Sequence, residues 1–138
     1  MVKLTNEEIG CISTFESLTG AVVLDCILDE NRVVFLVKEG DLGKAIGKGG
    51  SAIRRVRSAF GKRVDVVENA ETAEEFTRNF FQRIRIKKME MMGGKERGYI
   101  QMSVEPDDRG AAIGRNGDRI KLARSILERR FRIGLKLL

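Results

Sequence analysis

The stretch Ala45–Ile53 reads AIGKGGSAI, and Ala112–Ile120, 67 residues further on, reads AIGRNGDRI. An ungapped alignment at this offset covers seventeen positions, of which eight are identical. Both copies keep the spacing Gly-x-x-Gly with a cation in the second position; we call Gly47–Gly50 the first loop and Gly114–Gly117 the second loop. The chain is therefore an internal duplication.

The residues around each loop predict the same order of elements in both copies: helix, strand, strand, short helix, loop, helix, strand. The fold class is α+β, with two units over residues 1–70 and 71–138. The boundary near residues 69–72 contains no flexible linker, and units of this size are marginal alone, so we expect them to pack rigidly together. The sequence predicts helices over 6–18 and 73–83, a helix after each loop, strands over 21–28, 33–37, 64–67, 84–91, 99–104 and 133–138, and turns at 29–31 and 93–94.

The positive charge is concentrated around the two loops. Residues 43–63 contain seven basic side chains and no acidic one, and residues 109–132 contain eight basic and two acidic side chains. Since the whole chain has a net charge of +6, the remainder carries −7. Focused positive potential of this kind is typical of a protein that binds a polyanion.

The Gly-x-x-Gly spacing suits the binding of a phosphate. Two glycines let a ligand approach the backbone closely, and each loop leads into the start of a helix, where unpaired N–H groups attract an anion. Lys48 and Arg115 add a full positive charge at the loop tips. We expect Ser51 and Asp118 to cap the helices that follow.

Other glycine-rich and catalytic sites do not fit. A Walker phosphate-binding loop would need glycine at Leu42, and a dinucleotide fingerprint would need it at Ala52. The chain contains no histidine, which excludes most histidine-dependent catalysis. Cys11 and Cys26 lack a metal-ligand or redox spacing, so we interpret both as reduced core residues. We expect no cofactor and no metal.

The pattern Ile-Gly-x-x-Gly-x-x-Ile at 46–53 and 113–120 resembles the signature of KH domains, whose loop clamps the backbone of about four single-stranded nucleotides. Two strands before the motif and one after it resemble the type II form, which implies a three-stranded mixed sheet packed with helices in each unit. A tandem of two such domains is similar to the short archaeal-type NusA family of transcription factors, without the amino-terminal polymerase-binding region and S1 domain of bacterial members.

The resemblance implies that single-stranded RNA is the partner, that RNA polymerase is a candidate second partner, and that the chain acts in transcription elongation or termination. It implies a groove beside each loop with an apolar floor, for which Val66 and Leu135 are further candidates; structural core is the alternative for these apolar residues. The candidate RNA-binding residues are Lys44, Ile46, Gly47, Lys48, Gly49, Gly50, Ile53, Arg54 and Arg55 in the first copy, and Ile113, Gly114, Arg115, Asn116, Gly117, Arg119, Ile120 and Lys121 in the second.

Two alternatives stay open. A ribosome-associated or rRNA-processing tandem KH protein would have the same site chemistry. An enzyme would need a site such as Mg²⁺ held by Glu105, Asp107 and Asp108, but we favour helix capping for these acids, and for Asp41 in the first copy, and expect no catalysis.

The composition indicates a globular protein without membrane partners or a small-molecule substrate. Hydrophobic residues make up 42% of the 138 residues and charged residues 33%. No apolar run approaches the roughly 20 residues that span a bilayer, and acidic residues follow the amino terminus closely. We expect a cytoplasmic protein.

Overall fold

The computed structural model describes residues 4–28, 30–93 and 97–138. The chain divides into two compact units, Met1–Ala70 and Glu71–Leu138. In the first unit the elements are α1 (Asn6–Thr19), β1 (Val23–Leu28), β2 (Arg32–Val37), α2 (Leu42–Ile46), α3 (Ser51–Phe60) and β3 (Arg63–Glu68). In the second they are α4 (Ala73–Phe80), β4 (Ile86–Gly93), β5 (Gly98–Val104), α5 (Pro106–Ile113), α6 (Asp118–Phe131) and β6 (Gly134–Leu137). The predicted turns include Asp29 and Gly94, which lie outside the described residues.

In the first unit, β2 is the central strand, antiparallel to β1 and parallel to β3. A parallel neighbour can be reached only through a crossover connection. That crossover consists of α2, the first loop and α3. The core contains Phe15 of α1 stacked on Phe35 of β2, with ring centroids 4.1 Å apart, together with Val33, Val37 and Val56.

The second unit repeats this arrangement. β5 lies between the antiparallel strand β4 and the parallel strand β6, and α5, the second loop and α6 form the crossover. The ring centroids of Phe76 in α4 and Phe131 in α6 lie 6.0 Å apart, and Ile100 and Met102 of the central strand are fully buried. The prediction of an α+β fold with two three-stranded mixed sheets is confirmed.

From the first strand onward, the two units differ in length at two places. The offset is 63 residues between the first strands, from Val23 to Ile86, and 71 residues between the last strands, from Arg63 to Gly134. The offset is smaller at the first strands because the hairpin of β4 and β5 is longer than the hairpin of β1 and β2. The offset is larger at the last strands because α6 has 14 residues where α3 has 10. One extra helical turn explains why the ungapped similarity stops soon after the loops.

The first helix of each unit starts at a threonine cap. The N–H of Glu8 donates to Thr5 Oγ1 at 3.1 Å and the N–H of Thr5 donates to Glu8 Oε1 at 2.9 Å, which is a complete capping box. In the second unit the N–H of Glu75 donates to Thr72 Oγ1 at 3.1 Å. The spacing Thr-x-x-Glu recurs at the 67-residue offset, so this signal was present in the sequence.

Both cysteines are free thiols. Cys26 is fully buried in the core of the first unit, and Cys11 is partly buried against it. Burial raises the pKa of the Cys11 thiol. Among the helices that the structure describes, none has the length and apolar character needed to cross a bilayer.

Candidate nucleic-acid interface

Each loop forms a single 3-10 turn between a short helix and a long one. The N–H of Gly47 donates to the carbonyl of Gly43 at 2.8 Å, and the N–H of Gly114 donates to that of Gly110 at 2.9 Å, so both loops begin by closing the helix before them. The next helix starts at once. The backbone therefore passes from one helix to the next within four residues.

The first glycine of each loop has a conformation that only glycine adopts easily. Gly47 has φ 76° and ψ 169°, and Gly114 has φ 78° and ψ 174°. A Cβ on Gly47 would lie 2.7 Å from the backbone nitrogen of Ala52, and one on Gly114 would lie 2.7 Å from the Cβ of Arg119. The missing side chain lets the loop pack directly on the first turn of the next helix.

The third loop position is left-handed but open. Gly49 has φ 60° and ψ 21°, and Asn116 has φ 57° and ψ 27°. A Cβ on Gly49 would meet nothing within 4 Å. Asparagine is among the non-glycine residues that best tolerate this region, which explains why the second copy can replace the glycine.

The fourth loop position caps the following helix. Gly50 (φ 79°, ψ 15°) is the N-cap of α3 and Gly117 (φ 73°, ψ 14°) is the N-cap of α6. Ser51 and Asp118 occupy the first helical position. The prediction that Ser51 and Asp118 cap these helices is therefore wrong, because left-handed glycines already occupy the cap position.

Six of the candidate cations are exposed within or beside the loops: Lys44, Lys48, Arg54 and Arg55 in the first unit, and Arg115 and Lys121 in the second. Lys48 and Arg115, which we call the tip cations, are exposed at matched positions. Arg55 is exposed on α3. Lys44 is exposed as well, and its Nζ lies 3.8 Å from Oδ1 of Asp41, whose side chain is largely buried.

The two copies differ in these flanking cations. The residue that matches Lys44 is Ala111, and the residue that matches Arg55 is Leu122, which is 6% exposed. The first loop therefore has two flanking cations that the second loop lacks.

Arg54 and Lys121, also matched, turn back toward their own loops. Arg54 Nη1 donates to the carbonyl of Gly49 at 2.7 Å, and Lys121 Nζ donates to that of Asn116 at 3.4 Å. The sequence predicts that both side chains bind RNA, and in the structure each donates a hydrogen bond to the loop backbone.

Arg119 contacts Phe80 of its own unit. Its Nη2 donates to the carbonyl of Phe80 at 2.7 Å, and its guanidinium carbon lies 4.9 Å from the centroid of the Phe80 ring. A guanidinium held by a hydrogen bond and a cation–π contact packs the start of α6 against α4. A phosphate contact by Arg119 stays a prediction.

The predicted apolar floor divides into exposed and buried members. Ile46 is 41% exposed beside the first loop and Ile113 is partly buried beside the second, whereas Ile53 and Ile120 are 9% and 5% exposed and belong to the cores. Val66 is partly buried on β3.

Leu135 is not the counterpart of Val66. The strand registers pair Arg32 with Arg63 and Tyr99 with Gly134, which matches the buried Leu135 to Val64. Val66 and Leu135 therefore occupy different positions in their strands, because the longer α6 shifts the last strand.

The side chains of Asp41 and Asp108 do not cap α2 and α5: Asp41 is at the N-cap position of α2 but makes no side-chain cap bond, and Asp108 lies in the first turn of α5. Asp41 Oδ2 accepts the N–H of Val22 at 2.8 Å, and Asp108 Oδ2 accepts the N–H of Arg85 at 2.8 Å. Val22 and Arg85 each directly precede the first strand of their unit, so the carboxylate ties that strand to the segment leading into the loop. The capping expected at Asp41 and Asp108 is corrected accordingly.

Asp108 makes a further contact that Asp41 lacks. Its Oδ2 also accepts from Arg85 Nε at 3.0 Å, and its Oδ1 accepts from Nη2 at 3.3 Å. These bonds hold the pKa of the Asp108 carboxyl below its ordinary value and raise the pKa of Arg85. Within 4–28, 30–93 and 97–138, no three acidic, cysteine or histidine side chains converge on a point where a metal ion could sit.

The comparisons with known proteins agree with this geometry. A family model described as KH domain matches residues 12–90, from α1 of the first unit into β4 of the second. This match covers more than half of the chain, so the fold and the loops define a KH-domain protein.

The full length resembles archaeal relatives. The chain is 37% identical to the "Probable transcription termination protein NusA" of Methanocaldococcus jannaschii over 96% of this chain and 72% of that protein. It is 37% identical to the protein of that name from Halococcus morrhuae, over 96% of this chain and 94% of that one. A solved structure reported as "Crystal structure of APE1850" superposes with a TM-score of 0.82 at 38% identity, covering 98% of this chain and all of that chain. The chain belongs to the archaeal NusA-like family of KH-domain proteins.

Proposed function

We propose that the chain binds single-stranded RNA through the first and second loops and acts as a NusA-like factor in transcription elongation and termination. In this proposal residues 1–70 and 71–138 are each one type II KH domain. The observation that carries it is the recurrence of one unusual loop conformation in both units, each time with an exposed tip cation and the start of a long helix.

The loop geometry supports contact with the sugar-phosphate backbone. A Cβ on Gly49 would meet nothing within 4 Å, so an RNA strand can approach the main chain of the first loop at this glycine. The dipoles of α3 and α6 place partial positive charge at the loops, to which the tip cations add. Ile46 and Ile113 beside the loops suit contact with the faces of bases, and the few aromatic residues, 6% of the chain, leave aliphatic contact as the main means of base recognition.

Aspartate substitutions in the loops test the proposal. The first-loop variant is Lys48→Asp/Gly49→Asp and the second-loop variant is Arg115→Asp/Asn116→Asp. Aspartate tolerates the left-handed region, and the third position has space for a side chain, so the fold should persist. We expect the combined variant to lose at least about tenfold in affinity for an unstructured RNA oligonucleotide, as phosphate contacts are lost and charge is reversed.

A control variant separates local contact from net charge. Arg78, Arg83 and Lys87 are exposed and lie away from both loops in sequence, and changing all three to Asp alters the formal charge as much as the four loop substitutions do. We expect this control to keep most of the affinity. Unchanged binding by the combined loop variant, with a cooperative thermal transition, would refute the assignment of the site.

The choice of partner is tested separately. The names of the relatives favour transcription, and a ribosome-associated or rRNA-processing role is the alternative with the same loop chemistry. Tagged protein isolated from its native cells should carry RNA polymerase subunits after nuclease treatment. Recovery with ribosomal subunits and without polymerase would favour the alternative.

A further inference from the structure

In both units a cation on the helix after the loop folds back onto the loop. Arg54 and Lys121 stand five residues after Gly49 and Asn116, whose carbonyls accept their hydrogen bonds at 2.7 and 3.4 Å. The two side chains differ chemically, yet they reach the same backbone atom. Both copies have this hydrogen bond, although the donor is arginine in one and lysine in the other. This indicates that the bond serves to hold the loop carbonyl in place.

The glycine at the fourth loop position leaves room for this contact. A Cβ on Gly50 would lie 3.1 Å from Arg54 Nη1, and one on Gly117 would lie 3.5 Å from Lys121 Cε. The cationic side chain therefore passes over the glycine to reach the carbonyl. The conformation of the glycine and the position of the cation depend on each other.

The peptide group that receives the hydrogen bond is held at both ends. In the first loop the carbonyl of Gly49 accepts from Arg54, and the N–H of Gly50, in the same peptide group, donates to the carbonyl of Gly47 at 3.0 Å. The second loop has the same pair of bonds, with the N–H of Gly117 donating to the carbonyl of Gly114 at 3.2 Å. Each bond fixes the plane of a peptide whose neighbouring glycines would otherwise rotate freely.

We propose that Arg54 and Lys121 are positioning residues that hold the loop in its binding conformation, and that they act on RNA through the loop backbone rather than as phosphate contacts. The inference rests on the proposed function of the loops. A loop held in its bound conformation has less conformational entropy to lose when RNA binds, which raises affinity without a new contact.

The two copies divide this task differently. In the first loop the third position is a glycine, which loses the most backbone conformational entropy when it is fixed. Its carbonyl accepts the shorter of the two hydrogen bonds, from the Arg54 guanidinium. The second loop has Asn116, whose side chain restricts the backbone, and the longer bond from Lys121. The first loop therefore depends more on its cation than the second loop does.

The experiment measures affinity for an unstructured RNA oligonucleotide by fluorescence anisotropy across a series of salt concentrations. We expect Arg54→Ala to weaken binding about two- to tenfold, the range for one exposed hydrogen bond, and Arg54→Lys to recover most of it. The slope of log affinity against log salt should stay near that of the unmodified protein. A phosphate contact would instead lower the slope by about 0.7.

A residue exchange taken from the second copy gives a rescue. Gly49→Asn in the Arg54→Ala background should recover part of the lost affinity, because Asn restricts the same backbone position that the guanidinium held. In the protein without RNA, Arg54→Ala should also broaden the NMR amide signal of Gly50. A lowered salt slope, no rescue by Gly49→Asn, or an unchanged Gly50 signal would each overturn the positioning role.

The first-loop variant, measured in parallel, distinguishes the two proposals. If that variant binds RNA normally, the function proposed for the loop fails. If it loses affinity while Arg54→Ala retains it, only the positioning role fails.

Discussion

Gly47→Ala should destabilise the chain far more than substitution of the neighbouring loop glycine. Alanine at φ 76° and ψ 169° costs about 1–3 kcal/mol in backbone strain. The added Cβ would also lie 2.7 Å from Ala52 N and 2.8 Å from Ala52 Cβ, so the start of α3 must move. Such overpacking costs about 1–3 kcal/mol more, and the total is a large share of the 5–15 kcal/mol that stabilises a typical domain.

Gly49 provides the matched control. Its φ of 60° and ψ of 21° cost an alanine about 1–2 kcal/mol, and its Cβ would enter open space. Gly49→Asn should cost less still, because Asn116 holds the same conformation in the second unit. The expected order of destabilisation is therefore Gly47→Ala, then Gly49→Ala, then Gly49→Asn.

Urea unfolding followed by far-UV circular dichroism measures these differences. The midpoint should fall clearly for Gly47→Ala and little for Gly49→Asn. If Gly47→Ala unfolds at the same urea concentration as Gly49→Ala, then the close contact between the first loop and α3 does not constrain the fold, and the account of why glycine is needed there is wrong.

Three further predictions concern the charges. In RNA-binding assays the first-loop variant should lose more affinity than the second-loop variant, because Lys44 and Arg55 beside the first loop are matched by Ala111 and Leu122 beside the second; an equal or larger loss from the second loop would contradict this. Alanine at both tip cations should lower the salt slope of RNA binding by about 1.4, at 0.7 for each phosphate contact, and an unchanged slope would show that neither contacts phosphate. Because Arg85 holds the pKa of Asp108 below its ordinary value of 3.8, the stabilisation is present at neutral pH and is lost as the pH falls through the lowered pKa. Asp108→Asn should therefore destabilise the protein at pH 7 and much less near pH 2 in urea titrations, and a constant difference would contradict the assignment.

The order of elements could be predicted from the sequence because the same pattern of residues occurs in both copies of the duplication. Runs such as residues 33–37 and 99–104 have the β-branched and apolar character of strands, and Gly61, with φ 62°, ends α3. Boundaries that depend on packing could not be read so well. α4 was predicted to continue to residue 83 and ends at Phe80, where the buried Phe80 and Phe81 pack edge to face. Rigid packing of the two units stays a prediction.

The loop positions could be predicted, but the partners of the nearby side chains could not. The sequence spacing places Arg54, Arg119 and Lys121 beside the loops. It could not reveal that Arg119 packs on Phe80, 39 residues away, or that Asp108 reaches Arg85, 23 residues away. Such contacts depend on how a helix and a strand meet in three dimensions, which local patterns do not encode.

An NMR titration with a short single-stranded RNA tests the central claim most directly, since it reports which backbone amides the RNA affects. The account predicts that the largest shifts appear at residues 47–51 and 114–118, with smaller shifts along the starts of α3 and α6, and that double-stranded RNA of the same length produces little change. Shifts concentrated on another surface, with both loops unaffected at saturating RNA, would contradict it.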